Sequence, residues 1–174
     1  MCRYAFVEYK PHFACFNCRK TFKRRLLRDI SSESHNKEEF QLKEAICPEC
    51  GELMADMGMD FQAPKRTDMK AWRHIQVLHS VEITFHSCGC AGPAYVPNTK
   101  ETLIEHLKDR RKDFLFQLDG WRQLQASWDP EGTNKNWNIL ETPAEERRSI
   151  EDAKNYWIGR LKEIDEKLAR VQSG

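Results

Sequence analysis

The sequence predicts an α+β chain in three parts: a small N-terminal unit of β-hairpins organised by four cysteines, a short helix–strand segment, and a C-terminal antiparallel helical hairpin. Three observations predict it. Two Cys-x-x-Cys pairs lie in the first third of the chain, Cys15 with Cys18 and Cys47 with Cys50. In the middle, Met69, Trp72, Ile75 and Leu78 recur every third residue, and Val81, Ile83 and Phe85 then alternate with Glu82 and Thr84. The last third carries two apolar stripes at helical spacing on either side of a polar connection. The expected boundaries are 1–62, 63–97 and 98–174, within the 174 residues that suffice for one ordinary domain, or for one small domain and an appendage.

The first part rests on its cysteines. The chain has seven, an odd number, so no disulfide framework can pair them all. A Cys-x-x-Cys turn lets two thiolates approach one ion, and two such turns face to face close a tetrahedral four-sulfur site. Here 28 residues separate Cys15-Phe16-Asn17-Cys18 from Cys47-Pro48-Glu49-Cys50, and Gly51 follows the second turn, where a residue without a Cβ is often wanted. The set Cys15, Cys18, Cys47 and Cys50 therefore reads as metal ligands. On the flanks, Arg19 to Lys23 reads as a return strand, and Phe40, Leu42 and Ile46 share one alternating face. Two hairpins joined by the polar loop Ser31 to Lys37, each offering a knuckle, make a zinc ribbon. So small a core leaves much of its folding free energy to the metal.

This layout resembles zinc-ribbon and rubredoxin-like modules. The run Phe13-Ala14-Cys15-Phe16-Asn17-Cys18-Arg19-Lys20-Thr21-Phe22-Lys23, with Cys47-Pro48-Glu49-Cys50-Gly51 after it, is similar to a group of bacterial zinc-ribbon proteins of unknown function. The resemblance covers about the first 65 residues; it implies a fold and a metal and brings no established activity. Rubredoxins hold a redox iron at a similar spacing, but their first knuckle usually continues with Gly and an aromatic residue, and electron-transfer rubredoxins are usually acidic. Here Cys18 is followed by Arg19 and Lys20. Zinc is therefore the expected cofactor, one structural ion, with iron the alternative.

A net charge of +1 hides blocks of opposite sign. Residues 1–32 carry eight Lys/Arg against two Asp/Glu, and residues 33–62 carry two against eight. The basic block surrounds the first knuckle: Arg19, Lys20, Lys23, Arg24, Arg25 and Arg28, with Phe16 and Phe22 interleaved. Cations contact phosphates and exposed aromatics stack on bases, so this run is the candidate nucleic-acid-binding surface, which Lys65 and Arg66 extend. The competing reading makes Phe16 and Phe22 core residues of a small ribbon, and the charges an ordinary solvated strand neutralised by the acidic block.

In the middle part, Thr67 or Asp68 caps the helix that starts near Met69. Beyond the alternating stretch comes His86-Ser87-Cys88-Gly89-Cys90. His86, Cys88 and Cys90 are candidates for a second metal site, with His74 or His79 added, or Cys88 and Cys90 for a thiol–disulfide pair. Two small cysteines in a tight turn account for the same residues.

In the last part, Asn98 and Glu101 form a start signal, and Leu103, Leu107, Phe114, Leu118 and Trp121 line one face; Gly120 is expected to weaken this helix or end it early. The second helix has Thr142 as cap, Pro143 in its first position and Glu145 closing a capping box, followed by Ile150, Ala153, Trp157, Leu161, Ile164, Leu168 and Val171. That seam is about three heptads, barely a coiled coil. The connection holds Trp128 and Trp137, either the hairpin's own cap or anchors for a protein partner.

Several classes are excluded or disfavoured. No run approaches the roughly 20 apolar residues of a membrane span, and the N-terminus lacks the apolar core of a signal peptide, so the expected location is cytoplasmic. Phosphate-binding loops, zinc-protease helices and nucleophile elbows are missing, so no catalytic residue and no small-molecule substrate are inferred. The expectation is a non-enzymatic accessory protein that binds a nucleic acid or a nucleoprotein machine of transcription or translation through its basic ribbon. The alternatives are a protein–protein adaptor or oligomer acting through the C-terminal helices, and a redox protein using iron or Cys88 and Cys90.

Overall fold

The computed structural model describes residues 10–23, 45–86, 95–127 and 144–173. The chain divides into two compact units, Met1–Thr99 and Lys100–Gly174. The expected boundary at 62/63 falls inside the first unit.

Within that unit, β1 (His12–Cys15) and β2 (Lys20–Lys23) form an antiparallel hairpin whose turn is the first knuckle. The register sets Phe13 opposite Phe22, and Ala14 opposite Thr21. A third strand, β3 (Ala55–Gly58), pairs antiparallel with the other edge of β1, giving the order β2-β1-β3. The sequence reading had not foreseen this pairing. Around the second knuckle, the described residues show a single bridge, Ile46 with Leu53, before the chain becomes β3; Phe40 and Leu42 lie outside the described residues. Strands of four residues make a marginal hairpin alone, and a third strand on β1 gives Ala55 and Met57 a face to bury.

Helix α1 (Met69–Ser80) covers that face. Asp68 caps it, its side chain accepting from the Ala71 amide at 3.0 Å. The three-residue spacing buries Trp72, Ile75 and Leu78, while Met69 at the helix start stays 45% exposed. One core cluster joins Ala14, Ala55, Met57 and Phe61 to Trp72 and Ile75, with Phe16 and Phe85 packed at its margin. The Trp72 indole donates to the Lys65 carbonyl at 3.1 Å, so its one polar atom is satisfied.

The strand expected over Val81–Phe85 does not form. Its amides are used to end α1: Glu82 N–H donates to His79 O at 2.9 Å, and Ile83 N–H to Leu78 O at 3.0 Å. These two bonds make a Schellman motif, with Glu82 in the left-handed position (φ 62°) usually held by glycine. Extended pairing is impossible through such a residue. Farther on, Phe85 touches β3, its amide donating to Met57 O at 2.8 Å and its carbonyl accepting from Asp60 at 3.0 Å.

The second unit is a pair of helices, α2 (Lys100–Ser127) and α3 (Ala144–Ser173), packed on each other. Leu103, Leu107 and Leu118 on α2, and Ile164, Leu168 and Val171 on α3, are buried. Cross-helix bonds run from Arg111 to Asp165 and from Lys154 to Gln125, so advancing along α2 retreats along α3, and the pair is antiparallel. Between these bonds the Phe114 ring lies 5.5 Å from that of Trp157. Gly120 does not end α2, contrary to expectation. One glycine costs about 1 kcal/mol against alanine, and burial of Leu118 beside it, worth roughly 2 kcal/mol, offsets that. The expected caps Thr142 and Pro143, and both Trp128 and Trp137, lie outside the described residues. Among the described residues, no helix is long and apolar enough to cross a membrane.

Candidate metal centre

Each knuckle is a backbone turn that presents two sulfurs. In the first, the hairpin turn from β1 to β2 carries Cys15 and Cys18, and the Cys18 amide donates to Cys15 Sγ at 3.4 Å. In the second, Gly51 N–H donates to Cys47 O at 2.9 Å and Cys47 N–H to Glu52 O at 2.8 Å, closing the turn around Cys50. Gly51 has φ 74°, the left-handed conformation that the sequence anticipated at this point.

Folding brings the four sulfurs of Cys15, Cys18, Cys47 and Cys50 within 4.8 Å of one another. Across the knuckles, Cys15 Sγ lies 3.5 Å from Cys50 Sγ, and Cys47 Sγ lies 3.9 Å from Cys18 Sγ. A tetrahedral ion with metal–sulfur bonds of about 2.3 Å sets its sulfurs about 3.8 Å apart. The observed separations bracket that value, so the donor set fits a four-sulfur ion. All four cysteines are free of disulfides. Cys15 and Cys47 are each 1% exposed, Cys18 is half-buried and Cys50 is exposed.

The electrostatics also suit a cation. Hydrogen bonding to Cys50 and burial push the Cys18 thiol up to about 12, and burial raises Cys15. Burial also opposes ionisation of Cys47, but donation from the backbone amides of Cys50 and Glu49 overrules it and holds Cys47 at about 7. The Cys47 thiolate forms readily here while ionisation of Cys15 and Cys18 is opposed, a condition that a bound dication relieves. Four sulfurs fill the coordination of such an ion and leave no position for substrate water.

Two of the basic residues beside this centre, Lys20 and Arg19, are engaged with the protein itself. Lys20 pairs with Glu49 of the second knuckle, and this hydrogen bond holds the Glu49 carboxyl below its usual range. Arg19 Nε donates to the Arg66 carbonyl at 3.2 Å. Lys23 is exposed at the end of β2, and Arg24, Arg25 and Arg28 lie outside the described residues. Phe16 packs its ring edge-on to Trp72, with centroids 6.5 Å apart, and against His79 at 5.8 Å. Of the two readings of Phe16, core residue or base-stacking platform, the packing is that of a core residue. Phe22 is half-buried.

The second candidate cluster is not assembled among the described residues. His74 Nε2 bonds the Pro97 carbonyl at 2.8 Å, His79 packs against Phe16 with tilted rings, and His86 is exposed beside Gly58. Cys88 and Cys90 lie outside the described residues.

The pairing of Lys20 with Glu49 and the backbone of Arg19 are not among the features the sequence predicts. In sequence Glu49 is only part of a Cys-Pro-Glu-Cys turn, yet it closes the knuckles through Lys20. Arg19 carries a left-handed backbone (φ 53°), unusual for a residue with a Cβ. The signal was present, since Arg19 stands where similar knuckles carry glycine.

No family model matches the chain, and no curated protein and no solved structure matches it.

Proposed function

We propose that the chain is a non-enzymatic accessory protein built on a zinc-ribbon-like unit, whose zinc is structural and which binds a nucleic acid or nucleoprotein complex through the basic run that begins at the first knuckle. The observation that carries the metal part is the set of four sulfurs at tetrahedral spacing with no coordination position left for chemistry. The binding part is supported by the charge pattern: Lys23 is exposed, and Arg24, Arg25 and Arg28 follow it in sequence. Arg19 and Lys20 contribute less than the sequence suggested, because each already has a protein partner.

The test is binding of the full chain to single- and double-stranded oligonucleotides across a salt series. The expected result is an affinity that falls steeply with salt and falls further in Arg24→Glu with Arg25→Glu. A salt-independent affinity, or one unchanged in that double variant, overturns nucleic-acid binding and leaves the metal assignment standing. Metal analysis reads the other part: about one zinc per chain is expected, and a red protein with visible absorbance assigns iron and a redox role instead.

A second reading is favoured by the helical unit. Phe116 on α2 is 77% exposed, and Tyr156 and Ile158 on α3 are exposed as well. These support a protein–protein adaptor, for which concentration-dependent mass in light scattering is the readout.

A further inference from the structure

The first knuckle does more than present two ligands, because residues between and just after them hold helix α1. Phe16 sits between Cys15 and Cys18, and its ring packs on Trp72 and His79, one from each half of α1. Arg19 follows Cys18 directly, and its guanidinium grips the carbonyl of Arg66, two residues before the α1 cap Asp68. That entry loop is fixed in turn to the helix, since Lys65 O accepts from both the Asp68 amide at 2.9 Å and the Trp72 indole at 3.1 Å.

Arg19 makes its bond from a left-handed backbone conformation, which is costly for a residue with a Cβ. A glycine would avoid that cost but would have no guanidinium. The placement of Phe16 and Arg19 therefore depends on the turn that brings Cys15 and Cys18 to a common ion.

We propose that the first knuckle is a metal-closed clasp on α1: ligation of the ion by Cys15 and Cys18 sets Phe16 and Arg19 against the helix, so docking of α1 and metal affinity are thermodynamically coupled. The inference rests on the metal site proposed above and adds a specific element that the metal controls. Coupling of this kind is reciprocal: what metal binding adds to α1 docking, docking returns to metal affinity by the same factor. Neither Phe16 nor Arg19 is a ligand, so removing either tests the link without touching the site.

The experiment uses the full chain with zinc, read by amide hydrogen exchange across residues 65–81 and by competition with a chelating dye. In the zinc-loaded protein, Phe16→Ala and Arg19→Gly are each expected to speed α1 exchange about tenfold, leave α2 and α3 unchanged, and weaken zinc binding by a similar factor. In the metal-free protein the same substitutions are expected to change α1 exchange little, because loss of the ion has already undocked α1 along with the rest of the first unit. An equal effect of Phe16→Ala with and without zinc overturns the proposal and leaves ordinary core packing. Unchanged zinc affinity in both variants overturns it as well. If the wild-type chain takes up no metal, this inference and the metal assignment fall together, whereas normal uptake with uncoupled variants removes this inference alone. Arg19→Gly keeps the result interpretable if Phe16→Ala does not fold, since glycine suits the backbone at that position.

Discussion

Arg19 and Gly51 hold the same place in their two knuckles: each follows the second cysteine of a pair, and each has a left-handed backbone, φ 53° and 74°. The turns are thus alike in backbone and different in residue. At Gly51 the conformation is free of cost and a side chain would meet open space. At Arg19 the cost is accepted and the side chain reaches across to the entry of α1.

The first prediction separates backbone strain from collision. Gly51→Ala is expected to cost about 1 kcal/mol, from φ alone. Gly58 also has positive φ (88°), but a Cβ there would lie 2.7 Å from the backbone carbon and oxygen of Phe85. Gly58→Ala must push the Phe85 segment off β3, and is expected to cost about 3 kcal/mol or more. Chemical denaturation of the metal-loaded chain checks the order. Equal costs would mean that the approach of Phe85 to β3 is not a constraint.

The second concerns the end of α1. Glu82 occupies the left-handed position of a Schellman motif. Glu82→Gly is expected to stabilise the first unit by about 0.5–1 kcal/mol, keeping both capping bonds while removing the Cβ cost. A rise in denaturation midpoint with unchanged slope is the expected readout; a fall would show that the Glu82 side chain matters more than its backbone.

The third is metal removal. Structural zinc contributes about 10–16 kcal/mol of apparent binding free energy, comparable to or above the whole stability of about 5–15 kcal/mol of an ordinary domain. Chelation, or Cys47→Ser, is therefore expected to unfold the first unit while α2 and α3 keep their helical signal. Circular dichroism with metal analysis checks this. Loss of all structure in one step would show that the two units do not fold separately.

The fourth concerns pH and the helical unit. Burial, then the nearby Arg110 charge, hold the His106 imidazole below its ordinary value of 6.5, against a smaller opposite pull from Asp109. The unfolded chain then binds the proton more readily than the folded one. The resulting stability is present above pH 6.5 and is lost as pH falls through the lowered folded value. The melting temperature of this unit is expected to drop between pH 7.5 and pH 5, and His106→Gln to flatten that drop. A slope untouched by the substitution would assign the effect to other groups.

Much of this architecture was legible in the residues, for reasons that can be named. The cysteine pairs specify their own geometry, because two short turns and one ion determine each other. Asp68 and the stripe Trp72, Ile75 and Leu78 point to α1 and its start, since cap and period are local. The helical pair was legible for the same reason. What was missed is non-local or shared. Val81, Ile83 and Phe85 alternate like a strand, yet the amides of Val81, Glu82 and Ile83 end α1, and only Phe85 is left to bond β3. β3 was hidden because Ala55–Gly58 has little strand character apart from its partner β1. Gly120 read as a weak point or an early end, and the helix runs on through it beside the buried Leu118. The basic knuckle looked like a free charged surface because Glu49 and Arg66, its partners, lie 29 and 47 residues away.

The four sulfurs do not share one environment, and the gradient has a kinetic meaning. Cys15 and Cys47 are sealed from water and Cys18 is half-sealed, while Cys50 faces the solvent. A competing thiol or chelator can attack only where it can reach, so exchange of an ion bound here would begin at Cys50 and proceed inward by stepwise ligand substitution. The holding strength of such a centre and its speed of turnover are then set by different residues: the buried pair governs how tightly the ion stays, and the outer sulfur governs how quickly it can be handed on.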